Sequence, residues 1–205
     1  MHPNAAFRTG LPPAEERALM ETLIEEIGFG MVFAQTPDGP RVAHVPLLST
    51  GDGALHFHLA RGNALIRHLD GATALALING PDAYVSPRWY ASSDQVPTWN
   101  YVSLELEGRV RQMDGDGLRG HIETLVERHE SRLGADGPWS LDELPDGTYA
   151  KLSKGILGFE MEVRAWRPTL KLSQNKSEED RLGVAEALDA NGSPALAQLM
   201  RSLAP

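Results

Sequence analysis

Side chains that could hold a flat, hydrogen-bonding ligand cluster between Val96 and Tyr101. This segment carries Trp99, Asn100 and Tyr101 in a row, at the start of a predicted strand. A buried amide needs hydrogen-bond partners, which an apolar core seldom supplies. The segment therefore favours a planar ligand with polar atoms on its edge.

A possible phosphate site follows the third predicted strand. Arg61, Gly62 and Asn63 stand where that strand is expected to end and a short helix to begin. Helix N-termini bind phosphates through free N–H groups, Asn is a good N-cap, and Arg can make a two-pronged contact. A plain turn with a solvated arginine is the simpler alternative, because such turns are common.

Two further segments could contribute polar or aromatic groups. Residues 171–176 include Lys171, Gln174 and Asn175, which could complement a phosphate or the edge of a heterocycle, although connectors are often polar. Residues 84–90 crowd three aromatics, Tyr90 among them, around a proline. Aromatics in a loop suit a stacked ligand or a subunit interface, and packing onto the core is an equal alternative.

The histidines and the absence of cysteine limit the chemistry. His56 and His58 share one face of a strand, but no third ligand has an obvious spacing, so no metal site is expected. His44 stands alone. Zero cysteines exclude disulfides and thiol nucleophiles, and there is no Gly-x-Ser-x-Gly motif.

Composition and charge indicate an ordinary soluble protein. The chain has 205 residues and a net charge of −9, which opposes diffuse binding to DNA or to anionic membranes. No apolar run approaches the ~20 residues of a membrane span, and no signal peptide is visible. The cytoplasm is the expected compartment.

Hydrophobic periodicity and turn signals predict many short strands and few helices. Strands are predicted at 31–36, 41–49, 54–60, 73–79, 83–86, 99–113 and 156–166. Helices are predicted at 13–27, 64–69, 118–133, 145–153, 177–190 and 193–203. Nothing indicates βαβ winding, so the expected fold class is mainly β with peripheral helices (α+β), arranged as an antiparallel barrel.

Five segments in the same order resemble the FMN-binding negative transcriptional regulator family (PaiB-like). The matching segments are 44–46, 58–63, 83–90, 96–101 and 171–175. The resemblance implies an antiparallel split β-barrel of the FMN-binding type, a homodimer, and flavin at the subunit interface. We expect a split-barrel FMN-binding domain with helical insertions at 1–175 and C-terminal helices, packed on the same domain, at 176–205.

The resemblance also suggests roles for individual residues. The phosphate would bind at Arg61 and Asn63, and the ring would lie against Trp99 and Tyr90. Amides would meet polar atoms of the ring or of the ribityl chain. The complete set of expected FMN-binding residues is His44, Arg61, Asn63, Tyr90, Trp99, Asn100, Lys171, Gln174 and Asn175.

Two other functions remain open at this point. One is a flavin-dependent oxidase or reductase acting on a small substrate, with His44 or Tyr90 available for proton transfer. The other is a haem-binding protein on a similar barrel, with His56 or His58 as the axial ligand. Direct DNA binding is not expected, because no helix-turn-helix with a basic recognition helix is visible.

Overall fold

A computed structural model describes residue 2, residues 4–134 and residues 137–203. The helices in this part of the chain are α1 (Pro13–Ile27), α2 (Ile66–Leu69), α3 (Gly115–Arg132), α4 (Thr148–Leu152), α5 (Glu178–Ala190) and α6 (Pro194–Leu203). The strands are β1 (Phe29–Thr36), β2 (Gly39–Ser49), β3 (Ala54–Ala60), β4 (Thr73–Val85), β5 (Thr98–Gln112) and β6 (Ile156–Lys171). These strands form a closed sheet in the order β1-β2-β3-β6-β5-β4. The predicted fold class, mainly β with peripheral helices, is confirmed.

Helix ends with strong local signals were predicted closely. Helix α1 spans Pro13–Ile27, as predicted. Helix α5 begins one residue after Ser177, whose side chain accepts a hydrogen bond from the backbone N–H of Asp180. These helix ends are set by residues adjacent in the sequence, so capping residues are enough to predict them.

Strand β4 is longer than predicted. Residues 73–79 and 83–86 were expected to form two strands, but β4 runs without a break through Gly80, Pro81 and Asp82. A side chain at Gly80 would lie 3.0 Å from the Cβ of Val102. The glycine therefore permits close approach to β5, and here it does not mark a turn.

The chain divides into two compact units. Unit 1 comprises residues 1–23, 78–105 and 166–205, and unit 2 comprises residues 24–77 and 106–165. In unit 1, the apolar faces of α5 and α6 share a core with the end of β6, represented by Val184, Leu196, Met200 and Leu170. The division predicted at residue 175 stays a prediction.

Unit 2 contains the hairpin of β1 and β2 and the pairing of β3 with the first part of β6. Strands β3 and β6 are antiparallel, with Phe57 opposite Phe159. These two buried rings stack with their centroids 5.6 Å apart. No helix among the described residues is long and apolar enough to cross a membrane.

Candidate functional site

A polar cavity of about 140 Å³ lies in unit 1 around Asn100, and we call it the Asn100 cavity. It brings together four of the predicted site residues: Tyr90, Asn100, Lys171 and Asn175. Its other lining residues are Phe7, Gln95, Val96, Thr98, Ser173 and Lys176. Segments far apart in the sequence therefore meet in a single site.

Asn100 is the most deeply buried polar residue of this cavity. Its side chain is fully buried, and its Nδ2 donates a hydrogen bond to the Oγ of Ser173 at 2.8 Å. Its Oδ1 is buried and has no hydrogen-bond partner in the described protein. An unsatisfied buried acceptor costs about 1–3 kcal/mol, so it indicates a site built to meet a ligand.

The turn after β6 holds the partner of Asn100 in an unusual conformation. Ser173 has a φ of +61°, and no other non-glycine residue of the described chain has a positive φ. The Gln174 side chain stabilises this turn by accepting from the backbone N–H of Leu172 and donating to the carbonyl of Leu170. Gln174 is thus engaged with its own segment. Backbone strain of this kind is found preferentially at ligand sites.

Two ammonium groups give the Asn100 cavity a positive charge. The Nζ of Lys171 donates to the Oγ1 of Thr98 at 2.5 Å, and the Nζ of Lys176 donates to the Oε1 of Gln95 at 2.6 Å. Partial burial lowers the pKa of Lys171. Burial also raises the pKa of Tyr90. Both shifts reflect partial removal of these groups from solvent, and the two ammonium groups would attract an anionic or carbonyl-bearing ligand.

Trp99 lies outside this cavity. Successive residues of a strand point to opposite faces, so Thr98 and Asn100 line the cavity and Trp99 does not. The Trp99 indole donates to Asp82 at 2.8 Å and packs edge-to-face against Tyr84. Both rings are about half exposed, at 50% and 46%. They form what we call the aromatic patch.

A second polar cavity, of about 320 Å³, lies in unit 2 beside Arg61. We call it the Arg61 cavity, and its lining includes Tyr149, Ser153, Lys154 and Asp114. The Nε of Arg61 donates to the backbone carbonyl of Lys154 at 2.9 Å. The buried hydroxyl of Tyr149 has no hydrogen-bond partner in the described protein. Two cations and two hydroxyls make this cavity suitable for a phosphate.

The predicted helix start at Ala64, with Asn63 as its N-cap, is wrong. The Asn63 side chain accepts from the backbone N–H of Leu65, but α2 begins only at Ile66 and has four residues. Residues 61–65 form a turn, because Asn63 also bonds back to the carbonyl of Ala60. The phosphate prediction therefore rests on the side chain of Arg61 and not on a helix dipole.

His44 belongs to unit 2 and is exposed on β2, opposite Met31 of β1. It lines neither of the two cavities. Three of the nine predicted residues, His44, Arg61 and Asn63, thus lie in unit 2, and the other six lie in unit 1.

Sequence reasoning missed the partner of two histidines. The Nδ1 of His58 lies 3.0 Å from the Nε2 of His121, which is carried by α3, and the ring of His56 is close to the same imidazole. His56 also contacts the carboxylate of Glu160 at 3.2 Å. Among the described residues, no group of three or more histidines and carboxylates is placed to hold a metal ion.

The cavity linings also include residues that the sequence did not single out as site residues. Phe7, Gln95 and Lys176 line the Asn100 cavity from three separate segments. Of these three residues, only Lys176 could have been found from the sequence, because it is the second lysine of the polar 171–176 segment. Phe7 could not be found this way, because a single aromatic residue near the N-terminus has no distinctive pattern.

Each of the two cavities, taken by itself, has groups that could bind a part of FMN. A flavin offers ring carbonyls and an imide N–H, and its tail ends in a phosphate. Lysine, amide and tyrosine groups can bond the first set, and paired cations can bond the second. The donors and acceptors present therefore fit this cofactor.

Comparisons with known proteins also indicate an FMN-binding protein. Residues 1–165 match the family model described as "Putative FMN-binding domain". The chain is 31% identical over 180 residues to "Protease synthase and sporulation protein PAI 2" of Bacillus subtilis, with 86% of each chain covered.

Solved structures share the fold at lower identity. The FAD and heme binding protein from Mycobacterium smegmatis has a TM-score of 0.59 at 22% identity, covering 76% of this chain and 71% of that one. A conserved hypothetical protein from Mycobacterium tuberculosis has a TM-score of 0.55 at 14% identity, covering 87% and 95%. The family match and the PAI 2 similarity go further than fold: this chain belongs to the PaiB-like family of FMN-binding split-barrel proteins, and its cofactor is FMN.

Proposed function

We propose that the protein is a homodimeric, flavin-sensing regulator with FMN held at the subunit interface. The observation that carries the proposal is the small, open Asn100 cavity. Its volume of about 140 Å³ is below the roughly 300 Å³ at which ligand pockets begin. It can take only one end of FMN, so the rest of the cofactor needs cover from another surface.

The surroundings of the cavity support a partner subunit as that cover. Val96 lines the cavity and is 72% exposed. The aromatic patch, formed by Tyr84 of β4 and by Trp99 on the opposite face of β5, is also exposed. Aromatic residues are enriched at protein interfaces, where one part of the ring is buried and its polar atom stays bonded.

The proposal is tested by measuring mass and flavin binding together. We expect one FMN per chain and a light-scattering mass of twice 22.3 kDa. Trp99→Asp should reduce both the mass and the FMN affinity, since it places a charge in the aromatic patch. Trp139→Asp, at a tryptophan of unit 2 that is 37% exposed, is the matched control and should retain the dimer. A monomer that holds FMN tightly would contradict the proposal.

We assign the phosphate of FMN to the Arg61 cavity. Arg61→Ala is expected to weaken FMN binding by about 10- to 100-fold, the value of one or two charge-assisted hydrogen bonds. The affinity for riboflavin, which lacks the phosphate, should change very little. Fluorescence titration of both flavins measures the difference, and Arg67→Ala, at an exposed arginine of α2, is the control. Equal losses of affinity for the two flavins would show that Arg61 does not bind the phosphate.

Regulation by this protein would act through flavin or a protein partner and not through direct contact with DNA. The net charge of −9 opposes the approach of a polyanion. We place the function in the cytoplasm, in keeping with a chain that has no cysteine. Salt-dependent binding of a promoter fragment would contradict this view, and sustained NAD(P)H oxidation with FMN bound would favour an oxidoreductase instead.

A further inference from the structure

The Asn100 cavity contains an acceptor whose orientation is set by its neighbours. The Nδ2 of Asn100 donates to Ser173 Oγ and also approaches the sulfur of Met200 at 3.5 Å. A thioether can accept a hydrogen bond but cannot donate one. It therefore favours the NH₂ side of the amide, and Oδ1 is left without a donor in the described protein.

Hydrogen-bond donors line the same cavity as this acceptor. Lys171 and Lys176 line the same cavity, and each ammonium group has three N–H donors. The described contacts engage one donor of each, at Thr98 and at Gln95. The cavity thus presents one buried acceptor together with several donors.

We propose that this cavity receives the pyrimidine edge of the flavin ring, with the imide N3–H donating to Asn100 Oδ1. The carbonyl oxygens on either side of N3 then accept hydrogen bonds from the lysine ammonium groups. This inference rests on the proposed function, because it assumes that the bound ligand is FMN. It adds the orientation of the ring and the group that recognises it.

The same pattern argues against the phosphate in this cavity. A phosphate monoester has a second pKa near 6, so at pH 7 it is mostly a dianion that only accepts hydrogen bonds. It would satisfy the lysines, but it would place an anionic oxygen next to the buried Oδ1 of Asn100. A planar imide avoids this repulsion because its donor lies between two acceptors.

The decisive test uses the native protein and FMN methylated at N3. The methyl group removes the donor and adds bulk at that point. A site built to bond an N–H rejects an analogue that lacks it by large factors, so we expect binding about 100-fold weaker than that of FMN. Equal affinity for the two ligands would overturn the inference and leave the proposed function standing. If FMN itself does not bind, both are overturned.

Asn100→Leu provides an independent test. It should weaken FMN and riboflavin by the same factor, at least about tenfold, and should shrink the preference for FMN over its N3-methyl analogue. Gln198→Leu, at an exposed amide of α6 outside the cavity, is the matched control and should change neither affinity. A variant that loses FMN but keeps riboflavin would instead place the phosphate in this cavity and would overturn the assignment. If Asn100→Leu does not fold, the methylated ligand alone decides.

Discussion

Replacing Gly108 by alanine is expected to lower the free energy of unfolding by about 3 kcal/mol, at the upper end of what overpacking a core costs. Gly108 is buried in β5. A Cβ at this position would lie 2.2 Å from the backbone oxygen of Glu162 and 2.7 Å from the Cγ of Met161. The side chain of Met161 could move, but the carbonyl belongs to β6 and moves only with its strand. The two strands must therefore separate locally.

Urea denaturation followed by circular dichroism measures this loss. Gly120→Ala is the matched control, because Gly120 lies on the exposed side of α3 and a Cβ there would meet nothing within 4 Å. Alanine in a helix interior is more favourable than glycine by about 0.8–1.0 kcal/mol, so this control should stabilise the protein. A loss below about 1 kcal/mol for Gly108→Ala would mean that the two strands can separate at little cost.

The role of Gly108 illustrates what local sequence can and cannot predict. Helix ends such as Pro13 and Ser177 were predicted because caps and proline act on their immediate neighbours. Gly80 and Gly108 lie inside continuous strands, and each is needed for contact with a residue on another strand, Val102 or Glu162. Nothing near them in the sequence identifies that contact. The sequence accordingly predicts two strands, at 73–79 and 83–86, where the structure has one.

The residues of the candidate site, too, were predictable only in part from local sequence. Asn100 was singled out because a carboxamide is unusual at a strand end, and Lys171 because its ammonium group could complement a phosphate. Both line the Asn100 cavity. Trp99 was grouped with Asn100, although a period of two places them on opposite faces. The strained turn at Ser173 and the contribution of Phe7 depend on tertiary contacts, so no local pattern could report them.

Acid is expected to destabilise the protein through His121. This side chain is 2% exposed, and its pKa is lowered from 6.5 to about 3, first by burial and then by the positive charges that His58 and His56 would carry. Burial lowers the pKa of His58 as well. Glu160 faces the cluster through its contact with His56, and it is held in turn by Arg111. Protonating His121 would place a charge among apolar groups and neighbouring imidazoles.

The direction of this pH effect on stability follows from proton uptake. Between pH 6.5 and about 3 the unfolded chain binds a proton at this histidine and the native chain does not, so the unfolded state gains stability as the pH falls. The contribution of neutral His121 is fully present above pH 6.5 and is progressively lost below it. From pH 7 to pH 4.5, this one group should cost about 2–3 kcal/mol.

The measurement is the free energy of unfolding at a series of pH values, for the native chain and for His121→Leu. Carboxylates also titrate in this range, so the difference between the two pH profiles isolates the histidine. The leucine variant should unfold in acid with a shallower slope, because it has no proton to gain at this position. At pH 7 the variant loses the 3.0 Å contact between His58 and His121, which should cost about 1 kcal/mol, but it also removes Nδ1 of His121, which is buried without a partner in the described protein. His129→Gln, at an exposed position on the same helix, controls for the loss of a histidine as such and should keep the native slope.

Identical slopes for the native chain and His121→Leu would show that His121 is not kept neutral by the fold. In that case the 3.0 Å contact between His58 and His121 would have to accommodate a charged imidazole.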